Sequence, residues 1–194
     1  MALAAGGCLK LKLLVARAES TLEEALAARR AVEAGFRGVV EAASEVPEVS
    51  APGWAYSRGR RQYLASAFVK LAEEARRARR ADIALIVTSL DLYAPGLNFV
   101  FGEAMLGAGV VSTARLKQSF WGLPEDSKLF KRRLTIVARH EVGHALGLPH
   151  CMNWSCFMHF HNSVYELDIG GTELCESCWR RLQAAYGLSR GGLR

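Results

Sequence analysis

Between residues 140 and 150 the chain reads HEVGHALGLPH, and few arrangements can satisfy that run. His140 and His144 stand four residues apart, so on a helix their imidazoles project from one face, a turn apart, and can grip one metal ion. Gly147 can take a left-handed conformation that stops the helix, which lets the chain reverse and bring His150 in as a third ligand. Three neutral imidazoles leave a zinc ion one open tetrahedral position for water, the pattern of a catalytic rather than a structural centre. Glu141 lies beside them and is expected to act as general base, taking a proton from that water during attack on a peptide carbonyl and returning it to the leaving amine. By chance a chain of this composition would carry HExxHxxGxxH about once in ten thousand to a hundred thousand sequences, and HExxH alone roughly a hundredfold more often. The bland alternative asks three buried imidazoles and a carboxylate to find separate partners.

The sequence after His150 differs in kind. All five histidines and four of the five cysteines lie between 140 and 178. Cys151 and Cys156, then Cys175 and Cys178, form two spaced pairs that suit a tetrahedral four-thiolate zinc site. Such a site is closed to water and therefore structural; four unrelated buried or paired cysteines are the alternative. An odd cysteine count argues against a disulfide framework. Cys8, alone near the N-terminus, reads as a buried core thiol. Two zinc ions per chain are expected, one catalytic and one structural.

A chain of 194 residues, half of them apolar and under a quarter charged, can bury a sizeable core. Alternating Leu9, Leu11 and Leu13 with Lys10 and Lys12 predicts a first strand over 8 to 17. Ser20 with Glu23 predicts a capping box for a helix to about Phe36. A strand is expected over 38 to 43, a loop over 46 to 60 and a helix over 61 to 81, where Leu64, Phe68, Leu71 and Ala75 recur at helical spacing. The run IALIVTSL at 83 to 90 predicts a buried central strand, and 97 to 116 a hairpin turning near Gly107 to Gly109. Pro124, Asp126 and Ser127 start a long helix into HEVGH, which Gly147 and Pro149 end, and a short helix is expected over 176 to 186. His159 and His161 alternate across Phe160, so on an extended segment they share a side, expected to face solvent, with a contact to the catalytic zinc as the sharper alternative. Tyr165 is available as a transition-state stabiliser, but spacing alone assigns it no such role.

HEVGHALGLPHC, followed by CFM and CESC, resembles the archaemetzincins, a branch of the metzincin metallopeptidases. NFVFGEA at 98 to 104 and VVSTARL at 110 to 116 are similar to that family's strand region. The resemblance implies His140, His144 and His150 as catalytic-zinc ligands, Glu141 as general base, Met158 as the methionine of a tight turn beneath the metal, and the four cysteines as the second zinc site. Read by itself, Met158 is a core methionine. The gap between Met158 and Cys175 is 16 residues, about one fewer than the family's spacing; a loop deletion accounts for it. The expected class is α+β and zincin/metzincin-like: a mixed twisted sheet, long helices including the HExxH helix, and a small zinc-stapled C-terminal lobe. Residues 1 to 150 are expected to form the sheet-and-helix part and 151 to 194 the lobe.

The net charge of +6, with RRARR at 76 to 80 and KRR at 131 to 133, raises a nucleic-acid partner. Acidic neighbours such as Glu73 and Glu74 favour solvated helix faces instead, so none is expected. No run reaches the ~18 apolar residues of a membrane helix, and the N-terminus lacks the basic and apolar regions of a signal peptide, so a cytoplasmic location is the default expectation. The expected partner is a peptide or unstructured protein segment, held along the hairpin's edge by main-chain hydrogen bonds, and the expected state is a monomer. The competing function is a zinc-stabilised peptide-binding module with weak or absent hydrolysis.

Overall fold

Residues 10–187 are described by the computed structural model, and their strands sort side chains onto two faces. Strand β1 (Leu11–Ala18) leads to helix α1 (Leu22–Gly35) and strand β2 (Val40–Ala42). Two short strands, β3 (Tyr56–Ser57) and β4 (Gln62–Leu64), precede helix α2 (Ala65–Ala78), the fully buried β5 (Ile83–Thr88) and β6 (Leu92–Tyr93). Strands β7 (Gly102–Met105) and β8 (Ala108–Ser112) make a hairpin, followed by helices α3 (Ser127–Ala145), α4 (Val164–Ile169) and α5 (Glu176–Tyr186).

The main sheet runs β2-β1-β5-β8-β7, with β7 antiparallel to β8 and the other pairs parallel. Leu13, Val15, Ile83, Leu85, Val87 and Val111 face one side, where α1 and α3 pack; Leu14, Ala16, Ala84, Ile86, Ala108 and Val110 face the other, against Phe68 and Val69 of α2. Burial on both faces is what the uninterrupted apolar run of β5 demands. The α3 side also gathers Cys156, Phe157, Met158, Leu167, Cys178 and Leu182, so the cysteine-rich segment packs into the same core as the sheet.

Several expectations shift. The capping box of α1 uses Thr21 and Glu24, one residue beyond Ser20 and Glu23. Ser20 instead donates its hydroxyl to the Val87 carbonyl at 2.8 Å, a tertiary contact at the end of β5. The stretch expected as loop supplies β3, which with β4 and β6 makes a second small sheet. Of the expected hairpin, only 102 to 112 forms paired strands; 97 to 101 touches β6 through a single bridge, Leu92 to Val100. Arg133, expected on a solvated face, is 3% exposed and forms a bidentate pair with Asp168, at 2.7 and 2.8 Å, that ties α3 to α4. The 76 to 80 run does pair with acid: Arg76 and Arg77 both bond Glu73. Cys8 lies outside the described residues. Among those described, no helix is long and apolar enough to cross a membrane.

Candidate active site

Helix α3 carries the first two histidines, and its ends are defined by local chemistry. Asp126 caps it, accepting from the Lys128 and Leu129 N–H groups. At the other end Gly147 has φ 86° and donates to the His144 carbonyl while Leu148 donates to that of Gly143, a paired closure that reverses the chain. His150 is thereby brought back to within 5.3 Å of the His140 ring and 4.7 Å of the His144 ring, centroid to centroid. One nitrogen from each of His140, His144 and His150 lies within 4.8 Å of the others.

Backbone carbonyls fix two of the rings. His140 Nδ1 lies 2.8 Å from the Phe157 oxygen and His144 Nδ1 2.8 Å from that of Leu148. A carbonyl only accepts, so both Nδ1 atoms carry the proton and both Nε2 atoms present a lone pair. Those two Nε2 atoms face each other at 3.0 Å, an arrangement that needs a proton or a cation between them. Burial, with the neighbouring histidines adding to it, pushes His140 down to about 3, which disfavours the proton. Burial likewise lowers His144 and His150. Neutral imidazoles converging by Nε2 fit a zinc ion.

Glu141 is 6% exposed and points at the β7–β8 hairpin. A β-carbon at Gly102 would fall 2.6 Å from its Cγ and Oε1, so this glycine makes the room the carboxylate occupies, whereas one at Gly109 would meet the Glu141 Cβ at an ordinary contact distance of 3.6 Å. Burial, then the charge of Glu103, raises Glu141 to about 8. Beneath the histidines, Gly143 accommodates Met158: a β-carbon there would lie 2.2 Å from the methionine sulfur. A glycine inside a helix costs about 1 kcal/mol relative to alanine, and in HEVGH that cost was the available sign of a close approach. The orienting carbonyls of Phe157 and Leu148 had no such sign, because backbone groups leave no trace in residue type.

The four cysteines are brought together too. One sulfur from each of Cys151, Cys156, Cys175 and Cys178 lies within 4.8 Å of the others, and all four are free thiols, with Cys151 and Cys175 sulfurs 3.7 Å apart. Main-chain N–H groups of Asn153 and Cys175 donate to the Cys151 and Cys156 sulfurs at 3.4 and 3.3 Å. Burial pushes Cys156 up to about 11 and raises Cys178 further. At Cys175 the same upward push is outweighed by hydrogen bonding, first from Ser177 and then from the Cys178 N–H, leaving it at about 6. Clustered thiols resist ionising together unless a cation offsets their charge, and four of them within 4.8 Å of one another fit zinc.

His159 and His161 do share a side, with rings 5.5 Å apart, but they do not face solvent. His161 is 9% exposed, its Nε2 against Gly170, and His159 is half-buried, its Nδ1 2.9 Å from the Cys151 oxygen. The packing of α4 against α3, invisible in the local alternation, turns them inward. Among the described residues neither belongs to the three-histidine group. Tyr165 is 68% exposed. Between 97 to 102 on one side and α3 on the other lies a cavity of about 260 Å³, lined by Phe99, Phe101, Val137, His140, Glu141 and Leu167 among others.

Known proteins share this architecture. The profile of Peptidase family M54 matches residues 29–184. Archaemetzincin of Pyrococcus furiosus is 44% identical over 148 residues, 75% of this chain and 76% of the relative. The crystal structure of archaemetzincin from Methanopyrus kandleri has a TM-score of 0.81 at 33% identity, covering 96% of this chain and all of that one. That of Archaeoglobus fulgidus archaemetzincin, complexed with malonate, scores 0.73 at 31% identity and covers 88% and 99%. Alike in sequence over three quarters of its length and in fold over nearly all of it, the chain belongs to the archaemetzincins of Peptidase family M54 and is a zinc metallopeptidase.

Proposed function

We propose that the protein hydrolyses peptide bonds with one zinc ion held by His140, His144 and His150, with Glu141 as general base, and that a second, structural zinc is held by Cys151, Cys156, Cys175 and Cys178. One observation carries the reading: two part-buried Nε2 lone pairs face each other at 3.0 Å, their Nδ1 protons committed to carbonyls, beside the buried Glu141 carboxyl. When bound, the zinc supplies Lewis acidity, bringing the pKa of water toward ~7 and polarising the carbonyl under attack. Glu141 takes the proton that water gives up and passes it to the leaving amine. Burial raises the Glu141 carboxyl above the usual carboxylate range, which makes the ionised form a stronger base toward that proton. The room left by Gly102 lets it sit between α3 and the hairpin.

The substrate is an extended peptide or unstructured segment. Among the described residues strand β7 is the sheet's edge and pairs only with β8, which leaves its outer side open to an added strand. The adjoining cavity is walled by Phe99, Phe101, Val137 and Leu167, a lining for an apolar side chain next to the bond that is cut. In this reading the enzyme works as a monomer in the cytoplasm, where free thiols persist as metal ligands. Residues 151 to 187 serve as a lobe, which its zinc would pin to the shared core.

Native mass spectrometry of carefully prepared protein should find two zinc ions per chain. A mild chelator should remove the histidine-held ion first and activity with it, while the closed thiolate site holds longer because its binding is linked to folding. One ion or none in protein never exposed to chelator would contradict the pair of sites.

A further inference from the structure

A row of aromatic rings leads away from the cavity to the surface. Phe101 and Phe99, which line the cavity, stack edge to face with centroids 5.2 Å apart. The Arg115 guanidinium lies over Phe99 at 4.1 Å and over Phe120 at 4.7 Å, and Phe120 meets Trp121 at 5.1 Å. Phe101 is buried and Phe99 partly buried, whereas Phe120 is 43% and Trp121 42% exposed, with Leu123 beside them in the chain at 52%.

The outer rings are fixed in place. Trp121 Nε1 donates to the Arg115 carbonyl at 3.0 Å. Asp91 grips the Arg115 guanidinium through two bonds of 2.7 and 2.8 Å, and Gln62 in turn donates to Asp91 and to the Asn98 carbonyl, each at 3.0 Å. With its charge answered by Asp91, Arg115 acts as a spacer between rings, and the exposed end of the row offers apolar, flat faces. Large aromatic faces held rigid before binding lose little freedom when a partner covers them.

We propose that this row is a remote subsite of the substrate cleft, where Phe120 and Trp121 hold an aliphatic or aromatic side chain of an extended peptide. The proposal rests on the reading that the cavity beside Glu141 receives the peptide next to the bond that is cut. Continuity identifies the occupant: the row begins on the cavity's own wall, so a chain leaving the cavity along it meets Phe120 and Trp121 next. Four contacts of ring size reach on the order of 20 Å at most, about six residues of extended chain at ~3.3 Å each. The enzyme would thus favour segments with a second apolar residue up to about six positions from the one in the cavity, over short peptides and over chains polar at that position.

Binding tests this apart from cleavage. Fluorescein-labelled peptides of alanine and glycine would carry a central leucine for the cavity and either phenylalanine or serine five or six positions away, on each side in turn. Their affinities for zinc-loaded Glu141→Ala protein would be read by anisotropy. On one side, remote phenylalanine should bind about tenfold more tightly than remote serine, the scale of partly burying one large apolar side chain. Trp121→Ala or Phe120→Ala should bring that ratio to within about twofold. Equal affinities on both sides, a contrast that needs no altered protein, would overturn the subsite, as would a preference that survives both substitutions in folded, zinc-loaded variants. Cleavage of the same peptides by the wild-type protein tests the catalytic reading separately: a retained preference without cleavage would count against hydrolysis and leave the subsite standing.

Discussion

Glu141→Ala is expected to lower peptide cleavage by about a hundredfold to ten-thousandfold, the usual contribution of a positioned acid or base, while both zinc ions stay bound. The separation follows from geometry. His140, His144 and His150 converge through their own nitrogens, and two of the rings are oriented by the Phe157 and Leu148 carbonyls rather than by the carboxylate. Removing Glu141 therefore deletes a proton carrier and leaves the ligand set whole. His144→Ala should behave differently, losing the histidine-held ion and the activity together, because His140 and an exposed His150 alone make a weak site. Metal analysis and initial rates on the two variants side by side check the distinction; equal rates for Glu141→Ala and wild type, both zinc-loaded, would refute the assigned role.

Cys175→Ser or Cys178→Ser should lower the melting temperature by about 10 °C or more, corresponding to about 3 kcal/mol in a domain of this size. Structural zinc contributes directly to folding, and here its ligands are threaded into the main core: Cys156 and Cys178 are 0% and 3% exposed and pack with Phe157, Met158 and Leu182. The effect should reach the histidine site as well. Cys151 follows His150 directly, its N–H donates to the Met158 carbonyl at 2.8 Å, and the Phe157 carbonyl that orients His140 lies next to Cys156. Loosening the thiolate cluster frees all three. Calorimetry with zinc counting is the check, and unchanged melting and zinc content in both variants would remove the structural assignment.

What could be read from the residues was decided by how local each signal is. Helix α3 carries its own start at Asp126, its own stop at Gly147 and two histidines four apart, so its course and the pairing of those rings on one face were legible together. The boundaries of α5 were equally plain. At α1, Ser20 with Glu23 and Thr21 with Glu24 both satisfy the capping pattern, and the choice was made by a distant group, the Val87 carbonyl that takes the Ser20 hydroxyl. Strands of two or three residues such as β3, β4 and β6 are too short to show a period, and exist because their partners lie alongside. Helix α4 did carry a sign that went unused: Ser163 caps it by accepting from the Glu166 N–H, three residues on. The burial of Arg133 and His161 depends on where α4 docks, and no local pattern encodes that.

At the site, the three histidines and four cysteines were singled out by residue type and spacing, and the fold brings each set together in a group that could hold a metal ion. The parts that make the site precise are of another kind. The Phe157 carbonyl on His140, the clearance at Gly102 for Glu141 and at Gly143 for Met158, and the Arg115 guanidinium over Phe99 arise from approach between residues well separated in the chain, and the Leu148 carbonyl on His144, though local, leaves no trace in residue type.

The most direct test is zinc content and peptide cleavage measured on one preparation against a library of short and extended peptides. Protein carrying two zinc ions per chain should cleave internal peptide bonds, lose that activity when a mild chelator has taken the first ion, and regain it when one equivalent of zinc is returned. Cleavage that persists at full rate after the histidine-held ion has gone would contradict the account. So would a fully zinc-loaded protein that binds the library but cuts none of it, which would favour a peptide-binding module.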